Sequence, residues 1–156
     1  MIHDLSSAEI DRFLSTCSWG HMACCDEGKP YVIPLAFAYQ RGILYGQTIE
    51  GHKTEILRRH PTVCFQAEQE TENGWISAMC HGTYEELDFS LLTSELAQAI
   101  IHVLSKRLGT TQERFGIQIP FVAASGRVEP VAVNGKKATL FRVVVTEKSG
   151  KEYRKE

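Results

Sequence analysis

Residues 44–59 hold the arrangement in this chain that best suits chemistry. Leu44-Tyr45-Gly46-Gln47-Thr48 reads as a strand, Ile49-Glu50-Gly51 as a loop, and His52-Lys53-Thr54-Glu55 as the first turn of a helix that reaches Arg59. A lysine in a first helical turn is badly placed. The free N–H groups there carry partial positive charge and favour anions. Such a lysine makes sense if an anion is shared between the N–H groups and the ammonium, and phosphate is the usual candidate. Gly46 and Gly51 would let backbone approach that anion, and Thr48 offers a hydroxyl. The spacing is neither a Walker loop nor a dinucleotide fingerprint. The competing explanation is that Glu50 or Glu55 simply neutralises Lys53.

Trp75-Ile76-Ser77 is the second candidate. Strand alternation puts Trp75 and Ser77 on one face, where an indole could pack on an aromatic ligand and a hydroxyl could hydrogen-bond it. A tryptophan there serves equally as core or as a subunit interface. The remaining constellations fall short. Cys24-Cys25 and Cys80-His81 are adjacent pairs whose side chains alternate in direction, and His52 and His60 are eight residues apart, so no pair has zinc-ligand spacing. No metal site is expected. Cys64, between Val63 and Phe65, reads as a small buried filler rather than a nucleophile. There is no Gly-x-Ser-x-Gly, and no side chain is marked as an acid–base catalyst. Any reaction would fall to a cofactor.

The elements that must position these residues follow from periodicity. Ser6 and Glu9 have capping-box spacing ahead of Ile10, Phe13 and Leu14, which predicts a helix over 7–16. Residues 20–25 and 31–39 read as strands joined by the turn Asp26-Glu27-Gly28-Lys29, and Gln40-Arg41-Gly42 turns into the strand at Ile43. Pro34 cannot donate to a ladder, so its strand should be an edge there, or bulged. The helix to Arg59 should stop before Pro61. Residues 62–67 form a fourth strand, 68–74 a polar loop, and 75–87 a fifth strand bent at Gly82. The periodicity of Leu91, Leu92, Leu96, Ile100, Val103 and Leu104 predicts a long helix over 90–108. Residues 140–145 form a last strand, and the charged stretch 147–156 is expected to fray. Consecutive hairpins without β-α-β alternation predict a mainly β fold, an antiparallel barrel with peripheral helices, in a single domain over 1–156.

Bulk properties narrow the function further. The chain has 156 residues, 43% hydrophobic and 23% charged, which suits one domain with a real core. A net charge of −2 without a basic block argues against a nucleic-acid surface. No apolar run approaches the ~20 residues that span a bilayer, so no membrane partner is expected. Met1-Ile2-His3-Asp4 does not resemble a signal peptide, which points to the cytoplasm, with the five cysteines as reduced thiols.

Several segments also occur in a telling order. They are Gly20-His21-Met22-Ala23, then Gly28-Lys29-Pro30-Tyr31-Val32-Ile33-Pro34-Leu35, Leu44-Tyr45-Gly46-Gln47-Thr48, Glu50-Gly51-His52-Lys53, Pro61-Thr62-Val63-Cys64-Phe65, Trp75-Ile76-Ser77 and Gly82-Thr83-Tyr84-Glu85-Glu86-Leu87. In this ordered set the chain closely resembles the pyridoxamine 5′-phosphate oxidase-like flavin-binding proteins, in the branch related to nitroimidazole-resistance proteins. The likeness is densest over residues 5–90 and resumes at Phe141-Arg142-Val143 and Gly150-Lys151.

The resemblance implies a split β-barrel homodimer with FMN at the subunit interface. Val32, Ile33 and Pro34 would lie along the isoalloxazine ring. Tyr45, Gly46, Gln47 and Thr48 would line the ribityl and phosphate path, with Gly51 and Lys53 at the phosphate. Trp75 and Ser77 would sit near the flavin, reaching toward the partner's site. Relatives often carry histidine at the position of Gln47, and an amide cannot titrate near neutral pH, so no catalytic residue is assigned.

The resulting expectation is an FMN-dependent oxidoreductase that reduces small electrophilic or nitroaromatic compounds with a nicotinamide donor. Two alternatives keep the fold. One is a haem- or deazaflavin-binding protein, with His21 or His52 as a conceivable iron ligand. The other is a flavin-binding sensor or carrier module without turnover.

Overall fold

Two tight turns set the first half of the sheet. Glu27 and Gly28 (φ 48° and 87°) and Arg41 and Gly42 (φ 50° and 76°) each place two successive residues in the left-handed region. That is the turn whose twist matches a two-residue hairpin, and glycine adopts it at little cost. The computed structural model of the chain describes residues 1–88, 132 and 134–156. Its elements are β1 (Ile2–Asp4), α1 (Ser7–Thr16), β2 (Trp19–Asp26), β3 (Lys29–Gln40), β4 (Ile43–Ile49), α2 (His52–Arg59), β5 (Thr62–Thr71), β6 (Gly74–Glu86) and β7 (Ala138–Arg154).

The strands form one antiparallel sheet in the order β1-β7-β4-β3-β2-β5-β6, and β6 pairs back onto β7. The sheet therefore closes on itself, which removes most exposed edges. This is the split-barrel architecture, mainly β with peripheral helices. Phe37, Tyr39, Leu44, Phe65 and Phe141 are buried inside it. Phe37 meets Phe65 edge-on at 4.5 Å, and Tyr84 lies 5.0 Å from Phe141. Helix α1 carries the capping box expected of Ser6 and Glu9 and buries Ile10, Phe13 and Leu14. Its outer turn is tied down by Asp11, which accepts from the Tyr39 hydroxyl and from Lys148 Nζ, both at 2.6 Å.

Three features differ from expectation. Residues 68–74 are not a loop: β5 runs on to Thr71 and β6 begins at Gly74, leaving a two-residue turn. The stretch 147–156 does not fray, because β7 continues to Arg154. It is held on one side by β6 (Ser77 opposite Lys151) and on the other by β1 (Asp4 opposite Lys151). β1 itself has only three residues and no periodicity to betray it. Both mistaken stretches are polar because they project beyond the barrel with little apolar cover. Main-chain bonds hold them, and polar side chains say nothing about main-chain pairing. The bend expected at Gly82 is present as a register shift between His81 and Gly82. The helix expected over 90–108 lies outside the described residues.

If β7 is a paired strand to its end, amides 149–153 should exchange with deuterium about as slowly as those of β5. Rapid exchange there would show a frayed tail instead.

Candidate functional site

The closed sheet opens between β3 and β4. β3 pairs with β2 from Lys29 to Ala36, but with β4 only from Phe37 to Gln40. Beyond Gly46, β4 leaves β3 and pairs only with β7, with Gln47, Thr48 and Ile49 opposite Leu140, Thr139 and Ala138. A wedge opens between the two strands, with the free edge of β3 as one lip and the end of β4, running into α2, as the other. Pro34 sits on that free edge opposite His21, as a residue without an N–H requires.

The lips are joined at the mouth by Tyr31, whose hydroxyl lies 3.4 Å from His52 Nε2, with the two rings meeting edge-on at 5.7 Å. Lys29 Nζ lies 5.7 Å from the Tyr31 ring centre. With Lys53 next to His52, the mouth of the wedge carries cationic groups from both sides.

Lys53 itself is half-buried at the start of α2, and burial alone pushes its pKa down from the ordinary lysine value. Neither predicted neutraliser serves it. Both oxygens of Glu50 are taken by Arg58, at 2.5 and 2.7 Å, and Glu55 Oε2 lies 3.8 Å from His52 Nδ1. Among the described residues Lys53 has no ion-pair partner. Nor does any side chain cap α2: Gly51 stands at the cap, and Thr54 Oγ1 only accepts from the Gly51 N–H and donates to its carbonyl. An uncapped helix start and a desolvated cation in the same turn both favour an anion. Among the described residues the buried Thr48 hydroxyl has no hydrogen-bond partner.

The other predicted residues divide by strand alternation. On β4, Gly46 and Thr48 are buried with Leu44, while Tyr45 and Gln47 face the other way and are half-buried. The absence of a side chain at Gly46 has a packing reason that was not evident from the sequence: a Cβ there would run into the Phe141 ring. Gly51 is in extended backbone at φ 177°, open to any residue, and a Cβ there would meet nothing closer than 3.9 Å. On β3, Val32 and Pro34 face outward and Ile33 inward.

Trp75 and Ser77 are not brought to the wedge within one chain, because β2 and β5 lie between β6 and β3. They line a groove of about 650 Å³ with Glu68, Glu70 and Tyr153, where Trp75 stacks on Tyr153 at 6.2 Å. Among the described residues no three His, Cys, Asp or Glu side chains gather as a metal site, and no helix is long and apolar enough to cross a membrane. Tyr31 and Arg58 are not marked as site residues by any local pattern in the sequence. Tyr31 could have been found from its place on the strand that carries Pro34, but Arg58 pairs across a distance that no local pattern reveals.

Comparison with known proteins gives these features a context. The family model described as pyridoxamine 5′-phosphate oxidase matches residues 6–152. An uncharacterized protein of Rhizobium meliloti (strain 1021) is 30% identical over 84 residues, and the match spans 53% of this chain and 56% of the length of that curated relative. Among solved structures, a FAD-binding protein from Mesorhizobium loti is 27% identical with a TM-score of 0.74, over 97% of this chain and 96% of that one. A candidate 5-nitroimidazole antibiotic resistance protein from Bacteroides thetaiotaomicron is 20% identical with a TM-score of 0.68, over 97% and 88% of the two chains, and so shares the fold. The family match runs from the capping box of α1 to the far end of β7, and on that ground the chain belongs to the pyridoxamine 5′-phosphate oxidase family.

Proposed function

We propose that this chain is a flavoprotein that binds flavin mononucleotide with its phosphate at Lys53, and that it reduces small electrophilic or nitroaromatic compounds with electrons from a nicotinamide donor. The observation that carries the proposal is Lys53, a half-buried cation with no ion-pair partner among the described residues, in the first turn of a helix without a side-chain cap there. Similarity to a FAD-binding protein from Mesorhizobium loti supports a flavin in particular.

The residues present fit such a ligand. Lys53 and the N–H groups of α2 would hold the phosphate, with the buried Thr48 hydroxyl as a further donor. The free edge of β3 at Val32, Ile33 and Pro34 would offer backbone groups to the ring system. A bound flavin supplies the redox chemistry, accepting electrons from one small molecule and passing them to another. The protein's part is to bind, orient and exclude water. The Gln47 amide can hydrogen-bond a ligand but cannot hold a titratable proton near neutral pH.

The proposed assembly is a homodimer. Val32, Trp75 and Met79 are exposed at 65%, 39% and 41% on outward-facing positions of β3 and β6. A second copy that laid its β6 against the first copy's β3 would bring its own Trp75 and Ser77 toward the first copy's wedge. The amide at Gln47 also favours a second reading, flavin binding without turnover, which anaerobic reduction by NADH or NADPH separates from the first.

Purified protein should be yellow or take up flavin, and titration with FMN, FAD and riboflavin identifies the preferred form. Lys53→Met should weaken FMN binding by about tenfold or more while leaving riboflavin, which lacks phosphate, unchanged. Uptake of none of the three, or equal FMN affinity in Lys53→Met, would sink the proposal. Thr48→Val should stabilise the flavin-free protein by about 1 kcal/mol, because it replaces a buried hydroxyl without a partner by a methyl of similar size. A lower urea midpoint in that variant would show that the hydroxyl is already satisfied.

A further inference from the structure

We propose that the bridge between Tyr31 and His52 sets which flavin the wedge accepts: it admits one that ends in a phosphate monoester and refuses one that continues through a diphosphate. The inference rests on Lys53 as the phosphate anchor and adds the side chains that select FMN against FAD.

The direction of the wedge carries the argument. Its apex lies where the pairing of β3 with β4 stops, at Phe37 and Gly46. From there β3 runs back through Pro34 to Lys29, while β4 runs on through Ile49 toward α2. The free edge at Pro34 is therefore the inner part of the wedge. Tyr31, three residues or about 10 Å further along the strand, stands at its mouth. Across the mouth, His52 is the first residue of α2 and Lys53 the second. A phosphate held by Lys53 and the N–H groups of α2 thus lies beside the bridge. A flavin that ends there needs no room beyond it. In FAD the same phosphate carries a second phosphate and an adenosine, and that extension must leave through the mouth.

Four side chains cross the mouth in a row. Lys29 Nζ lies 5.7 Å from the Tyr31 ring centre, the Tyr31 hydroxyl 3.4 Å from His52 Nε2, and His52 Nδ1 3.8 Å from Glu55 Oε2. A proton on Nδ1, beside the Glu55 carboxylate, leaves Nε2 to accept from the Tyr31 hydroxyl. The two rings also meet edge-on at 5.7 Å. An adenylate extension has to part this pair. A neutral hydrogen bond together with an edge-on ring contact is worth about tenfold in an equilibrium constant, and that sets the expected discrimination. The selective element is thus an obstacle to the longer ligand, rather than an added contact to the shorter one.

The test titrates flavin-free, full-length protein with FMN, FAD and riboflavin, unsubstituted and as His52→Ala and Tyr31→Ala. The unsubstituted chain should bind FMN about tenfold more tightly than FAD. Either substitution should bring FAD to within about twofold of FMN by strengthening FAD, with riboflavin unchanged. The His52 side chain is 61% exposed, so its removal tests the bridge without disturbing the fold, whatever Tyr31→Ala does to packing. Equal affinity for FMN and FAD in the unsubstituted protein overturns the inference. So does weaker FAD binding in His52→Ala, which would make the mouth a seat for the second phosphate. A loss of FMN affinity alone also overturns it, because the pair would then be phosphate ligands. Ribose 5-phosphate and ADP-ribose pose the same question without the flavin ring, read through the ¹⁵N shift of Lys53 Nζ. If the protein takes up no flavin, the flavoprotein proposal falls, and a preference for ribose 5-phosphate that His52→Ala abolishes, or its absence, still decides the role of the bridge.

Discussion

The pairing of β6 with β7 is the constraint on which the rest depends. It runs from Gly74 opposite Arg154 to Glu86 opposite Phe141, and it turns an open meander into a closed sheet. Once the sheet is closed, almost every strand has a neighbour on both sides, and an unpaired main-chain edge becomes exceptional. Its place is set by β4, which follows β3 for four residues and then follows β7 alone. The site is thus a by-product of divided loyalty in one short strand. Barrel closure elsewhere supplies the rigidity that holds the two lips apart.

Much of this was legible in residue order. The capping box at Ser6 and Glu9, the turns at Gly28 and Gly42, and the prolines at 34 and 61 each report local backbone constraints, and local constraints survive in sequence. Pro34 was especially informative, because a missing N–H excludes a central ladder position whatever the fold. The polar ends of β5 and β7 were not legible. Glu68 to Thr71 and Glu147 to Arg154 look like loop and tail because their side chains meet mostly water, while their order comes from partners distant in the chain. Likeness to a family reached the fold sooner than periodicity alone could, and periodicity alone would have stopped at a barrel of unspecified kind.

The candidate site was half legible. Lys53 was conspicuous for its position on the helix, but its state of charge balance was open, since Glu50 and Glu55 were both within plausible reach. The structure pairs Glu50 with groups that the loop itself does not contain: Arg58 from the far turn of the helix, which Glu86 of β6 also holds. Gly46 carries the opposite lesson. It stood out as loop chemistry and turns out to be needed for Phe141, a core residue. A glycine beside a ligand site can owe its identity to the wall behind it.

The length of β7 has a consequence for how the chain reaches this state. Its far end pairs with β1, Ile2 opposite Tyr153, so that the Met1 amine donates to the Arg154 carbonyl at 2.7 Å. A hydrogen-bonded pair spanning nearly the whole chain is a contact of the highest sequence separation available, and such contacts form late because their loop-closure entropy must first be met. While it is being synthesised, the meander of β2 to β6 has no closing stave and presents two open edges. Only when the last strand emerges can both be covered in a single step, and the wedge acquires two fixed lips at that same moment.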